Sequence, residues 1–126
     1  MNARLIRAFR ATAYEAEGAV ARIGRRSPAL DALLARHGVR RAGFITAWNP
    51  LSRAMPWGWN DRMQDRLREA VAVRVIGEGW GRGRAWAEHH LLVEGEPARL
   101  QGLARRFRQH AIVMVERGRP ARLLAA

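Results

Sequence analysis

Trp48, Trp57, Trp59, Trp80 and Trp86 all fall within residues 48–86, and Arg53, Arg82 and Arg84 are interleaved with them. Flat aromatic faces alternating with guanidinium groups suit stacking on nucleic-acid bases or other flat ligands. Trp57, Trp59 and Trp80 stand beside Gly and Pro in stretches read as loops at strand ends, where binding residues concentrate. The competing reading is that these loops fold over a sheet and bury their own tryptophans. Core packing accounts for Trp48 in either case. The run 77–83, GEGWGRG, tempts a phosphate-loop reading, but the dinucleotide fingerprint requires Gly at its sixth position and a helix after it. Here the sixth residue is Arg82 and a strand pattern follows. A Walker loop needs Lys, and the chain has none. What remains is a mobile loop presenting Trp80, Arg82 and Arg84 to an anion or a base, set against an ordinary hairpin loop.

Other chemistries are thinly supplied. His89 and His90 are adjacent on an expected strand, so their rings point to opposite faces and do not share an ion. Neither an HxH nor an HExxH spacing occurs, and Asp is confined to Asp31, Asp61 and Asp65. The lack of cysteine excludes a disulfide, a thiolate nucleophile, a zinc finger and an iron–sulfur cluster. Ser27 reads as a helix cap and Ser52 as a loop residue, and neither lies in a G-x-S-x-G elbow. Acid–base work falls to Glu78, Glu88, Glu94 or Glu116. None has a second carboxylate at a telling spacing, so each defaults to surface charge. No metal and no cofactor is expected.

These side chains need a scaffold, and 126 residues, 48% apolar and 27% charged, suit one domain with one core. No stretch approaches the ~18 apolar residues of a membrane span. No apolar segment follows the first arginines, so no secretory signal is expected. The net charge is +12, and all 23 basic residues are Arg. Such a field steers a protein toward polyanions, and Arg forks onto phosphate. Genome-wide codon bias would equally replace every Lys. Along the chain the excess is even: 11 Arg against 4 acids in residues 1–63, and 12 against 7 in 64–126.

The spacing of Leu5, Ile6 and Phe9 predicts a short helix within 2–11, and residues 12–24 suit two short strands turning at Glu17-Gly18. Ser27-Pro28 is a helix start, Leu30, Leu33 and Leu34 its inner face, and Gly38 its end. His37, in the last turn of that helix, is read as a cap favoured by the dipole. Residues 42–48 predict a strand buried on both faces, ended by Asn49-Pro50. A helix follows over about 58–71, facing inward with Asn60, Met63, Gln64, Leu67, Ala70 and Val71. Strands are expected at 73–76, 90–94, 111–115 and 122–124, and a helix from Pro97 buries Leu100, Leu103, Ala104 and Phe107. The order predicts a single compact α+β domain: an N-terminal helical and hairpin extension (1–41), then a split β-α-β (ferredoxin-like) core with an extra C-terminal strand (42–126).

FITAWNPLS (44–52), Asn60, W-x-E (86–88), LLVEG (91–95), ARRF-x-Q-x-A (104–111) and the closing RLL (122–124) together resemble the domain-of-unknown-function family 3293 over nearly the whole chain. The resemblance carries no activity. It implies a small bacterial, cytoplasmic protein, and it places Thr46, Trp48, Asn49, Asn60, Trp86, Glu88 and Gln109 in the family pattern. Where the family commonly shows Phe-Gly-Gln-Asn, this chain has Phe107-Arg108-Gln109-His110. Its W-x-E is followed by His89-His90 in place of Pro-Ser, and Trp-Gly-Trp occupies a loop that is usually polar.

Three functions from different classes stay open. The first is a basic binding or accessory module that engages nucleic acid or another polyanion through Arg and loop Trp. The second is a small metal-independent enzyme or ligand-binding protein with a polar pocket near Asn49, Asn60, Glu88 and Gln109, unless Asn49 and Asn60 merely tie loop to helix. The third is a protein-interaction module. The candidate binding residues are Trp48, Asn49, Asn60, Trp80, Arg82, Arg84, Trp86, Glu88 and Gln109. Membrane binding is not expected, and ligand, partner and oligomeric state are left open.

Overall fold

Asn2 accepts the Leu5 N–H at 2.9 Å and opens helix α1 (Ala3–Arg10). Strands β1 (Ala13–Ala16) and β2 (Ala19–Ala21) then turn about Glu17 and Gly18, both at positive φ (51° and 82°), a turn whose twist matches a hairpin. Ser27 accepts the Leu30 N–H at 3.2 Å, and Pro28 takes the first position of α2 (Pro28–Arg36). That helix closes on Gly38 at φ 64°, with Gly38 N–H donating to Ala35 O and Val39 N–H to Leu34 O, a Schellman end. The computed structural model describes all 126 residues, continuing through β3 (Arg41–Ile45), α3 (Trp57–Val71), β4 (Val75–Arg82), β5 (Ala87–Glu94), α4 (Pro97–Arg106), β6 (Ala111–Glu116) and β7 (Arg122–Ala125).

The seven strands form one antiparallel sheet in the order β2-β1-β4-β5-β3-β6-β7. The chain is therefore one α+β domain with four helices, and its sheet is curled. Ile23, just past β2, bridges Ala121, just before β7, so the two margins of the sheet touch. Alternation along β5 sends Leu92 into one apolar cluster and Leu91 and Val93 into the other. The first cluster, with Leu30, Leu33 and Leu34 of α2, Tyr14 and Phe44, fills the inside of the curl. The second packs α3 (Leu67, Val71) and α4 (Leu100, Ala104) against the opposite face. No helix is long and apolar enough to cross a membrane.

The structure corrects several local expectations. The run 77–83 is not a loop: residues 77–82 continue β4, and the strand expected at 73–76 begins at Val75 after a 3₁₀ turn. Strand alternation puts Gly77, Gly79 and Gly81 on one face of β4, where β1 with its turn and His90 of β5 leave no room for a side chain. A Cβ on Gly81 would come within 2.7 Å of the His90 ring, and one on Gly79 would run into the Glu15 carbonyl. Trp80 and Arg82 are therefore strand residues, and Trp57 and Trp59 belong to the first turn of α3. The central strand stops at Ile45 and not at Trp48, because the N–H groups of Ala47, Trp48 and Asn49 find side-chain acceptors outside the ladder.

Candidate functional site

Those acceptors build the site. Ala47 N–H donates to Gln64 Oε1 at 2.7 Å, Trp48 N–H to Thr46 Oγ1 at 3.0 Å, and Asn49 N–H to Asn60 Oδ1 at 3.0 Å. From the other side Gln109 Nε2 donates to Trp48 O at 3.0 Å and Phe107 O at 3.2 Å. Asn60 Nδ2 also donates to Asn49 Oδ1 at 3.0 Å and Met55 O at 3.2 Å, while Met55 N–H reaches Asn49 Oδ1 at 3.0 Å. Asn60, 1% exposed, has its amide fully engaged in tying loop to helix. The clamp holds Asn49, Leu51 and Ser52 at positive φ (46°, 50° and 62°), a conformation costing non-glycine residues on the order of 1 kcal/mol or more each.

Asn49 has one group left over, and it points at a carboxyl. Asn49 Nδ2 donates to Glu88 Oε2 at 2.9 Å. Both residues line a cleft of about 320 Å³ with Leu5, Ala8 and Phe9 of α1, Ser52 and Ala54 of the loop, and Trp86. Trp86 lies over the β4–β5 turn, where a side chain on Gly83 would collide with its indole. Burial among these apolar groups pushes the Glu88 carboxyl up to about 7, and the Asn49 hydrogen bond pulls it down only in part. No cation is ion-paired with it. Behind Glu88, burial pulls His90 down to about 4 and raises the Tyr14 hydroxyl. Neutral His90 uses its Nδ1–H to donate to Glu88 O at 3.0 Å.

On the other face of β5, His89 accepts from Gln64 Nε2 at Nδ1 (3.3 Å) and sits 3.5 Å from Glu78, which Arg68 pairs at 2.9 Å. Here Trp48, Trp57 and Trp80 pack on one another with centroids 5.0, 5.4 and 5.9 Å apart, and Trp80 also meets the His89 ring at 5.4 Å. Arg82 covers Trp80 at 5.5 Å. Trp48 is 2% exposed with its indole N–H unpartnered, whereas Trp57 is 64% exposed. No three metal-ligating side chains converge anywhere in the fold.

Of the residues singled out from the sequence, Asn49, Trp86 and Glu88 therefore line the cleft. Asn60 and Gln109 position Asn49 from behind. Trp48, Trp80 and Arg82 form a separate aromatic cluster, and Arg84 is exposed in the β4–β5 turn. Sequence reasoning missed the α1 wall, whose Phe9 and Leu5 read only as helix packing, and it left Glu88 at surface charge when judged by spacing. It also missed Gln64, whose place on the inner face of α3 was the available signal. Compared with known proteins, residues 45–112, more than half the chain, match the family model described as "Protein of unknown function (DUF3293)". No curated protein and no solved structure matches.

Proposed function

We propose, on the premise that this chain belongs to the DUF3293 family, that it is a small-ligand-binding protein whose site is the cleft of Glu88, Asn49 and Trp86. One observation carries the reading: among 23 arginines, a half-buried carboxyl in the lining of an apolar cleft has an amide as its only side-chain partner. A carboxyl kept in such a place is set up to receive a hydrogen-bond donor or a cation from a ligand. The apolar walls call for a flat or aliphatic body behind that donor. The proton affinity of Glu88, near neutrality, also favours a second reading in which it acts as general acid or base of a metal-independent enzyme.

Stacking of nucleic-acid bases on the tryptophans has weaker support, because Trp48, Trp57, His89 and Arg82 already occupy the surroundings of Trp80. A split β-α-β, ferredoxin-like core goes with this reading, supported by the central order β4-β5-β3-β6 and by α3 and α4 sharing one face. So does the bacterial cytoplasmic setting that the resemblance implies.

Thermal shift with benzylamine, benzamide and their saturated analogues tests the site. A probe at a hundred times its Kd stabilises by about 2.7 kcal/mol. Expected are shifts that Trp86→Ala and Glu88→Gln each reduce by more than half. Shifts unchanged in both variants would place binding elsewhere, and no shift with any probe would remove the support for a donor-bearing aromatic ligand.

A further inference from the structure

Arginines distant in sequence meet at one end of the molecule. Gly24 N–H donates to Ala121 O at 2.7 Å and Ala121 N–H to Arg25 O at 3.0 Å, joining the segment of Arg22, Arg25 and Arg26 to that of Arg117, Arg119 and Arg122. Arg117 N–H donates to Arg40 O at 3.1 Å and brings in Arg40 and Arg41. All of these except Arg41, which is half-buried, are exposed. A groove of about 670 Å³ runs here, and Arg10, Arg41, Arg119 and Arg122 stand along it. Glu116 is the one carboxylate in its lining, shared among Arg40 at 3.3 Å, Arg41 at 3.7 Å and Arg119 at 3.9 Å, and Arg41 is also paired by Glu96 at 2.9 Å. Arg10 and Arg122 have no ion pair.

We propose that this groove binds duplex nucleic acid through its phosphates, without reading bases. Guanidinium groups brought into one groove from α1, β3 and the β6–β7 segment match a ridge of phosphates, whereas a flat anionic bilayer would meet only the rim. No aromatic ring lines the groove, so it has nothing on which to stack the bases of a single strand, and a duplex keeps its bases stacked within itself. The site shares no residue with the cleft of Glu88, and neither reading depends on the other.

The test is fluorescence anisotropy of the full chain with short labelled DNA duplexes of unrelated sequences, titrated across salt. The variant Arg119→Gln/Arg122→Gln is compared with Arg66→Gln/Arg105→Gln, which removes the same charge from exposed positions on α3 and α4. Expected is a loss of about tenfold or more for the groove variant, with the log–log salt slope shallower by about 1.8, and less than about twofold for the control. Equal losses in the two variants would mean diffuse charge and overturn the proposal. It is likewise overturned if wild-type binding vanishes by physiological salt, if affinity follows base sequence, or if phosphatidylserine vesicles bind through Arg119 and Arg122 while duplex does not.

Discussion

Glu88 and His90 are near neighbours on one strand, and burial shifts them in opposite directions. The folded carboxyl, at about 7 against an ordinary 4.5, contributes stability that is full below 4.5 and lost as pH rises through 7. Folded His90, at about 4 against 6.5, contributes stability that is present above 6.5 and lost as pH falls toward 4. Between about pH 4.5 and 6.5 the two slopes oppose, so wild-type Tm should be nearly flat there. Glu88→Gln leaves His90 alone, and its Tm should fall steadily on acidification over the same window; thermal melts of both proteins from pH 4 to 8 decide it. A Glu88→Gln profile as flat as wild type would show that His90 is not the buried neutral imidazole described above. At this scale the sequence carries residue types but not their burial. Glu88 is one of several glutamates until β5 turns it toward Tyr14 and α1.

Helix ends are local, and they are legible. Ser27-Pro28 and Gly38 mark α2 because capping needs only near neighbours. The same geometry recurs at the end of α4, where Gln109 N–H donates to Ala104 O at 2.8 Å and Arg108 N–H to Arg105 O at 3.1 Å. The residue in the left-handed position, however, is Arg108, at φ 56°. This is the place where the resembled family commonly has Gly. Arg108→Gly should therefore stabilise the fold by about 1 kcal/mol, read as a shift of urea midpoint at constant slope. A loss of stability would mean that the side chain makes a contact outweighing the backbone strain. The ends of β3 and the start of β4 are not legible, because their causes are remote. Gln64 and Asn60 take the N–H groups that would have prolonged β3. The glycines of β4, poor strand formers by themselves, are required by a strand some sixty positions earlier, Glu15 lying against Gly79.

For the whole molecule, the sequence shows one domain and the order of its core elements, but it hides the gathering of charge. Arginine excess is even along the chain and concentrated in space, because the curl of the sheet brings 22–26, 40–41 and 117–122 together. Deleting residues 121–126 removes β7 and the bridge to Ile23, uncovering β6 as a new edge. The shortened protein should self-associate with rising concentration in analytical ultracentrifugation, where the full chain's sedimentation stays constant. Equal behaviour of the two would mean that the closure does not protect the sheet.

The bridge between Ile23 and Ala121 also sets a schedule for biosynthesis. Residue 23 leaves the ribosome long before residue 121 has been made, so the N-terminal hairpin must wait, first for β4 and then for the last turn, before its outer side is covered. The arginine groove takes residues from both margins of the sheet, so a chain grown only as far as β6 does not possess it. Any affinity it has for phosphate begins only once residues 119–123 have joined Ile23 and Gly24, and a half-made chain cannot use that groove to hold the messenger that encodes it.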